Sequence, residues 1–320
     1  MVKITFPDGK SKKYETGITG IEVAKDISVS LAKEAVAILI NGNQKDLSDP
    51  IIEDSPISII TLKDDAGLEI MRHTLTAQVL ARAVKNLYPE ASLGIGPTIE
   101  NGFYYDVLFE QPISIDDLSK IEDEMRKIIK EGHIIKKLIK TKDQAINLFK
   151  ERNEPYKIKI IEESDQSDNF QIYKQGEADF FDLCKGPHLQ NLQQVGEFKL
   201  TKLSGAYWRG NSKNEMLQRI YGTAWRSKKE LKDYLSMLDE AEKRDHRKLG
   251  KEMGLFHFQD DAPGSVFWHP KGWLIFRELI KYMRRKQDDA GYIEISTPTV
   301  MDRSLWEKSG HWEKFQKICI

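Results

Sequence analysis

The sequence predicts an α+β protein of several domains. Its 320 residues exceed the usual size of one domain, so two or three domains are expected. Short stretches with the two-residue period of strands occur beside stretches with the period of helices. Hydrophobic residues make up 40% and charged residues 31% of the chain, which is typical of a soluble, helix-rich protein with solvated faces.

The composition also limits the class of protein. No apolar run approaches the ~18 residues that a membrane span needs, and the first four residues open a strand pattern rather than a signal peptide. We therefore expect a cytoplasmic protein. Cys184 and Cys319 lie far apart, which is not a disulfide framework, so Cys184 should be a free thiol. A net charge of −1 argues against a uniformly basic nucleic-acid binder.

Residues 1–63 have the pattern of a small mixed α/β unit. Ile4 and Phe6 alternate with polar residues, and a turn leads to a return strand that carries Tyr14. A helix is expected over 21–27, followed by a buried strand over 36–40 that ends at an Asn-Gly turn. A last strand over 57–60 completes a ubiquitin-like β-grasp.

A polar stretch over 63–67 marks the next domain boundary. A helix is expected from Leu68 to Leu87, where a proline lies just beyond its end. A strand over 102–107 follows, and the apolar stripe over 115–129 predicts an amphipathic helix. Short strands and loops continue to residue 225.

The last third begins with a predicted connector helix. Ser227 and Glu230 form a capping box that starts it. Beyond residue 250 a second amphipathic helix is expected, and a strand from Tyr292 to Ile295 follows it, with Pro298 next. The apolar positions of that second helix, which we expect to point inward, are Trp273, Phe276, Leu279, Ile280 and Met283.

The scarce histidines and cysteines mark the candidate chemistry. Cys184 and His188 stand four apart, and Pro187 prevents a regular helix between them. They therefore lie on a loop that presents two soft metal ligands or two polar catalytic groups. His73 lies on the first long helix, where a single histidine is more often a structural residue than a functional one. The remaining polar candidates of this region are Tyr105, Asp106 and Lys157.

Three dense groups of basic residues could contact phosphates, although a group of this kind is more often a solvated helix face. The first and second contain the candidates Lys136, Lys137, Lys140, Arg244, Arg247 and Lys248. The third is the run over 284–286.

Taken together, the ordered motifs resemble the N-terminal portion of threonyl-tRNA synthetases along the whole chain. The motifs are Gly102-Phe103-Tyr104-Tyr105-Asp106, Cys184-Lys185-Gly186-Pro187-His188, Tyr207-Trp208-Arg209-Gly210, Arg244-Asp245-His246-Arg247-Lys248 and Phe267-Trp268-His269-Pro270. The resemblance implies a TGS domain over 1–63, an editing (tRNA SAD) domain over 64–225, a linker helix over 226–249 and the incomplete start of a class II antiparallel-sheet catalytic domain over 250–320. Pro298 would lie in class II motif 1, at the dimer interface of the complete enzyme.

The family's editing domain corrects an error that binding alone cannot prevent. Threonine and serine differ by one methyl group, which gives only about 10–200-fold discrimination in a pocket. A second site therefore hydrolyses seryl-tRNA(Thr), and its substrate is the aminoacyl ester at the 3′ end of the tRNA. By resemblance, His73, Lys157, Cys184 and His188 are the catalytic candidates. Tyr105 and Asp106 would position the terminal ribose, and the basic groups would hold tRNA(Thr).

The chain departs from the family where a second histidine is usual. Ala77 stands four residues after His73, and a one-residue insertion places Gln78 at the aligned position. At about 100° per residue, a fifth-residue partner faces away from His73. We therefore expect a π-bulge that lets Gln78 line the cleft. Because glutamine is no base, we expect no metal in this chain, with His73, Cys184 and His188 as the only candidate ligands.

The complete family enzyme charges tRNA(Thr) with ATP, Mg²⁺ and a Zn²⁺ site, and works as a homodimer. Motifs 2 and 3 are not found in these 320 residues, so we expect no threonyl-adenylate formation by this chain and no certain cofactor. The alternative is a non-catalytic tRNA-binding or regulatory protein. The last five residues do not resemble the family, which leaves a shortened gene product open.

Overall fold

The N-terminal sheet is built around one parallel strand pair. The computed structural model describes residues 1–298 and 301–315. The elements of this region are β1 (Val2–Thr5), β2 (Ser11–Tyr14), β3 (Ile18–Thr19), α1 (Gly20–Ile27), α2 (Val29–Glu34), β4 (Ala35–Ile40), β5 (Asn43–Lys45), β6 (Pro50–Ile51) and β7 (Ser55–Thr61). The strand order is β2-β1-β7-β4-β5, with β1 and β7 parallel. This is the predicted β-grasp arrangement, and α1 starts at the capping box of Thr19 and Glu22.

A long helical segment follows and changes its hydrogen-bond pattern in the middle. Its parts are α3 (Asp65–Thr74), a π-helix (Leu75–Leu80) and α4 (Ala81–Leu87). The amide of Ala81 bonds to the carbonyl of Thr76, five residues back, which is the π-helical spacing. The predicted π-bulge is therefore confirmed, and the helix begins three residues before the predicted start.

Two further sheets flank this helical segment. The remaining elements of this region are β8 (Ser92–Leu93), β9 (Thr98–Ile99), β10 (Gly102–Leu108), α5 (Asp117–Glu131), β11 (Ile135–Lys140), α6 (Lys142–Glu151), α7 (Pro155–Glu162), β12 (Phe170–Gln175), β13 (Phe181–Leu183), β14 (Glu197–Tyr207) and β15 (Met216–Trp225), with single 3₁₀ turns at Leu192–Gln194 and Trp208–Gly210. One sheet has the order β14-β15-β10-β8, and β9 also pairs with β10. The other has the order β11-β12-β13.

A shared core holds these elements together. The buried face of α5, which includes Leu118, Ile121 and Met125, belongs to the same apolar cluster as Met71 of α3 and Phe103 of β10. A smaller cluster joins α6 to the three-stranded sheet. Residues Met1–Ser236 form one compact unit. The positions of the candidate site residues follow from this packing.

A second unit begins at Met237. The chain enters it through α8 (Lys228–Lys243), whose first turn is closed by Ser227 as predicted. Its other elements are α9 (His246–Glu252), β16 (Phe256–His257), β17 (Phe267–Trp268), α10 (Pro270–Asp289), α11 (Arg303–Lys308) and α12 (His311–Phe315). None of the helices in the described part of the chain is both long and apolar enough to span a membrane.

Two predictions for this second unit are wrong. The segment from Tyr292 to Ile295 is not a strand, because no described segment pairs with it and a strand needs a neighbour. Three of the five apolar positions of α10 do not point inward, because Trp273, Leu279 and Met283 are each about half exposed. The other two, Phe276 and Ile280, are only partly buried. The predicted motif 1 segment includes residues 299 and 300, and it therefore lies partly outside the described residues, as does Cys319.

Candidate functional site

The structure brings the three predicted histidine and cysteine residues together. His73 lies near the end of α3, whereas Cys184 and His188 lie on the loop after β13. The Nε2 atom of His73 is 2.9 Å from the Sγ atom of Cys184. The rings of His73 and His188 stack with their centroids 4.6 Å apart. Residues that are more than a hundred positions apart in sequence therefore form one cluster.

His188 supports the cluster from the buried side. Only 2% of its surface is exposed, and its Nδ1 atom lies 3.2 Å from the Thr74 hydroxyl. The edge of the Tyr173 ring packs against the imidazole at a centroid distance of 4.4 Å. The Nε2 atom of His188 has no hydrogen-bond partner among the described residues. His188 is therefore placed behind His73 and not on the cleft wall.

Burial favours the neutral form of the His73 imidazole. Its pKa is lowered from the usual 6.5, mainly because burial disfavours the charged ring. A hydrogen bond with the backbone of Pro187 and the charges of Asp182 and Asp46 oppose this shift without reversing it. A neutral imidazole at neutral pH can accept a proton, which is what general-base chemistry requires.

A second polar group lies beside this cluster. The Nζ atom of Lys157 on α7 is 2.7 Å from Asp182 Oδ1 and 3.0 Å from the Tyr105 hydroxyl. Tyr105 in turn donates to Asp182 Oδ2 at 2.9 Å. Burial, reinforced by the charge of Asp182, raises the pKa of Tyr105 well above its usual range. Tyr105 therefore stays protonated, and the buried lysine charge is paired with a carboxylate, as a buried charge must be.

Both groups line one cleft of about 660 Å³. His73, Cys184, Lys157, Tyr105 and Asp182 all face it. Its other walls come from the loop over 94–97, the segment over 164–171 and Ala77, Ile160, Leu183 and Lys185. The volume lies within the range of sites for small molecules and terminal groups, about 300–1,000 Å³.

Gln78 does not line the cleft, contrary to the prediction. Its side chain is completely buried, and its Oε1 atom lies 3.3 Å from Gln175 Nε2. Ala77 occupies the cleft wall instead. Ala77, four residues after His73, lies on the same helical face as His73, whereas Gln78 is held on the buried side by its contacts with Gln175.

Asp106 also does not lie at the cleft, contrary to the prediction. Its carboxylate receives two hydrogen bonds from Arg219, at 2.6 and 2.8 Å, and it does not border the cleft. The reason is the alternation of β10: Tyr105 points to the cleft and its neighbour points to the opposite face.

The predicted phosphate contacts divide into two groups. Lys137 is ion-paired with Asp46 and Asp49, and its side chain is only 16% exposed, so it is not available to a phosphate. Lys136 is exposed and Lys140 is partly exposed on the same strand. In the second unit the exposed predicted cations each pair with a nearby acid; these are Arg244, Arg247 and Lys248.

The sequence interpretation missed Asp182, which completes the lysine group. Asp182 and Cys184 are two residues apart next to a strand, so they lie on the same face. That alternation could have identified the aspartate. Tyr173 and Thr74 carried no comparable signal, because their contacts with His188 arise only from packing.

The cluster was also the only predicted metal candidate. The possible ligand atoms of His73, Cys184 and His188 lie within 4.8 Å of one another, and two imidazoles with a thiolate are suitable ligands for Zn²⁺. The two imidazole rings, however, are stacked at an angle of 26°. A metal binds in the plane of each imidazole, so stacked rings direct their nitrogens side by side and not at one point. The donors fit a metal chemically, but their arrangement does not.

Comparisons with known proteins agree with the domain order. A family model described as the TGS domain matches residues 2–61. A second model, described as "Threonyl and Alanyl tRNA synthetase second additional domain", matches residues 171–221. The second match covers Cys184 and His188 and ends within β15.

Curated relatives match almost the whole chain. The threonine–tRNA ligase of Pelagibacter ubique is 52% identical over 316 residues, 98% of this chain and 49% of its own length. That of Rhodospirillum rubrum is 52% identical over 318 residues, 99% of this chain and 49% of its own length. That of Bartonella quintana is 52% identical over 312 residues, 97% of this chain and 47% of its own length. The chain thus spans about half the length of the curated relatives it matches.

Proposed function

The chain corresponds in sequence to the N-terminal portion of threonyl-tRNA synthetases, and from this premise we propose that its cleft hydrolyses mischarged seryl-tRNA(Thr). The observation that carries the proposal is the convergence of a neutral imidazole, a thiol and a paired lysine on one cleft. The limits 1–63, 64–225, 226–249 and 250–320 are proposed as the domain boundaries that frame this site.

The proposed reaction is the hydrolysis of an aminoacyl ester. Water adds to the carbonyl carbon, the carbonyl oxygen takes up the negative charge, and the bond to the ribose oxygen breaks. The neutral His73 would accept the proton of the attacking water, and the departing ribose oxygen takes up a proton as it leaves. The Sγ atom of Cys184, 2.9 Å from the imidazole, would fix the position of the ring and of the bound ester.

Lys157 would stabilise the developing negative charge. An ammonium group has three donors, and two of them are directed at Asp182 and Tyr105. The third donor has no partner among the described residues and would be available to a substrate oxygen. A fixed donor in a largely buried site stabilises charge without reorganising at the moment of reaction.

The proposed partner is tRNA(Thr). Lys136, Lys140, Arg244, Arg247 and Lys248 are proposed phosphate contacts. The ion pairs of the last three are exposed, and exposed pairs contribute at most about 1 kcal/mol, so phosphates can replace the acidic partners. For the complete protein we propose ATP-dependent charging of tRNA(Thr), with ATP, Mg²⁺ and Zn²⁺ as its cofactors and a homodimer interface that includes Pro298.

Deacylation of seryl-tRNA(Thr) by the chain tests the proposal. Loss of one general base lowers rates by about 10²–10⁴-fold, so His73→Ala should lose hydrolysis while it still binds tRNA. His133→Ala is the matched control, because His133 pairs with Glu131 away from the cleft, and it should keep the full rate. Hydrolysis at the background rate in the unaltered chain, with tRNA bound, would instead support a non-catalytic tRNA-binding role.

A further inference from the structure

A carboxylate from the N-terminal β-grasp region reaches the loop that carries Cys184 and His188. We propose that Asp46 is a positioning residue for ester hydrolysis, by which the N-terminal domain fixes the geometry of this loop. The role rests on the proposed function of the cleft. Asp46 does not border the cleft itself, so it would act through the residues that it holds.

The two oxygens of Asp46 hold His188 in two ways. The Oδ1 atom accepts a hydrogen bond from the backbone N–H of His188 at 2.9 Å. The Oδ2 atom accepts one from the hydroxyl of Tyr173 at 2.7 Å. The Tyr173 ring then packs edge-on against the His188 imidazole, at 82° between the planes. One carboxylate thus fixes both the backbone of His188 and the aromatic ring beside its side chain.

Asp46 is itself held rigidly by its own domain. It begins the turn from β5 to β6, in which its N–H donates to Asp49 at 3.1 Å and its carbonyl accepts from the N–H of Asp49 at 3.0 Å. The next residue, Leu47, is fully buried in the β-grasp core. Lys137 lies 2.9 Å from Asp46 Oδ2 and balances its charge. The position of Asp46 is therefore tied to the β-grasp core.

The loop approaches Tyr173 closely at Gly186. A Cβ atom on Gly186 would lie 1.9 Å from the Tyr173 hydroxyl, and the φ angle of Gly186 is +63°. Only glycine fits this approach. From His188 the constraint passes directly to His73, because the two imidazoles are stacked. A displaced loop would therefore change the orientation of the proposed base and of the thiol beside it.

Variants at Asp46 and Asp49 separate positioning from simple stability. Asp49 shares the turn and the Lys137 ion pair with Asp46. Asp49→Ala removes one bond within the turn, but it leaves the backbone bond of the turn, the buried Leu47 and both contacts of Asp46 with Tyr173 and His188, so it is the matched control for a loss of stability alone. Asp46→Ala removes both bonds to the loop. Asp46→Asn keeps one carbonyl oxygen that can accept from the His188 N–H, and it serves if the alanine variant fails to fold.

Two measurements on the full chain, steady-state kinetics and hydrogen exchange, test this inference. Since misplacement of about 1 Å can lower a rate by about 100-fold, kcat for seryl-tRNA(Thr) should fall by about 10–100-fold in Asp46→Ala, with KM within about threefold. Asp46→Asn should retain more activity than Asp46→Ala, and Asp49→Ala should keep kcat within about threefold. Hydrogen exchange of the His188 amide should become at least about tenfold faster in Asp46→Ala and not in Asp49→Ala, because it reports local opening.

The results distinguish this inference from the proposed function. If the unaltered chain does not hydrolyse seryl-tRNA(Thr), the proposed function fails, while the His188 amide still decides whether Asp46 holds the loop. Unchanged exchange in Asp46→Ala overturns the inference. An unchanged kcat in Asp46→Ala, or equal losses in Asp46→Ala and Asp49→Ala, overturns it as well.

Discussion

Burial sets the chemistry of His73. The residue lies on an α-helix whose neighbouring side chains are mostly buried, and this environment lowers its pKa. An exposed histidine would be partly protonated at neutral pH, and protonation would remove its capacity to accept a proton. Packing therefore increases the fraction of His73 that is neutral and able to accept a proton.

We predict that the deacylation rate falls with acid only below the usual histidine pKa. Because burial lowers the pKa of His73 below 6.5, the ring stays neutral down to that pH, and the rate should be flat from pH 8 to about 6.5. A pH–rate profile of kcat/KM measures this. A midpoint above 6.5 would contradict the assignment of His73 as the base.

The free energy of unfolding should also depend on the protonation of His73, and it should decrease with acid. As pH falls below 6.5, the unfolded chain binds a proton at residue 73 before the folded chain does, so the free energy of unfolding decreases until the lowered folded pKa is reached. Urea denaturation of the unaltered chain and of His73→Asn over this range should show a shallower decrease in the variant.

Sequence position alone did not predict which of two neighbouring residues, Tyr105 or Asp106, faces the cleft. Tyr105 and Asp106 stand side by side in a motif, yet only Tyr105 faces the cleft. Strand alternation made opposite faces predictable, but not which face was functional. The partner that decided it is Arg219, which lies on β15 opposite Asp106.

At the level of elements, the π-helix divides its residues between the cleft and the core. It places Ala77 on the cleft wall and buries Gln78. The carbonyl of Gln78 accepts a hydrogen bond from the Gln175 amide at 2.5 Å. Gln175 also accepts from Arg82 at 3.1 Å. A side chain from β12 therefore braces the irregular turn.

We predict that replacing Gln175 lowers the free energy of unfolding more than replacing Gln78 does. The Nε2 atom of Gln78 has no hydrogen-bond partner among the described residues, so Gln78→Leu should change the free energy of unfolding by less than about 1 kcal/mol. Gln175→Leu removes the contacts with Gln78 and Arg82, and should cost about 1–3 kcal/mol. Urea denaturation of both variants tests this. A larger loss in Gln78→Leu than in Gln175→Leu would show that the Gln78 side chain stabilises the π-helix.

At the level of the whole molecule, the β-grasp sheet and the helix that follows it share one core. Val36, Ala37 and Ile60 of the sheet belong to the same cluster as Met71 of α3. The close approach occurs at Gly67, where a Cβ atom would lie 1.9 Å from the carbonyl oxygen of Thr61. The N-terminal fold is thus packed directly against the element that carries His73.

We predict that Gly67→Ala destabilises both parts together. Backbone atoms cannot yield as a flexible side chain can, so the variant should lose about 1–3 kcal/mol of unfolding free energy. The matched control is Gly205→Ala, whose added Cβ would meet only the flexible Met216 side chain. Hydrogen exchange should become faster in β7 and in α3 alike. Faster exchange in β7 alone would show that the two parts open independently.

The sequence by itself determined the α+β class and most elements of residues 1–225, and it singled out candidate residues that the structure brings together: His73, Lys157, Cys184 and Tyr105 border one cleft, and His188 lies behind it. The hydrophobic period, the turn residues and the ordered motifs are local features of the sequence, so they can be identified without knowledge of packing. The strand over 292–295 and the inward face of α10 were wrong, because pattern alone supplies no partner for an apolar face.

Only the tertiary structure decided what surrounds those residues. It paired Lys157 with Asp182, turned Asp106 to Arg219, buried Gln78 against Gln175 and brought Asp46 to His188. Except for Lys157 and Asp182, the two residues of each pair are at least 75 positions apart in the chain. Such contacts depend on how separate sheets pack on one helical segment, and that packing sets the burial that lowers the pKa of His73.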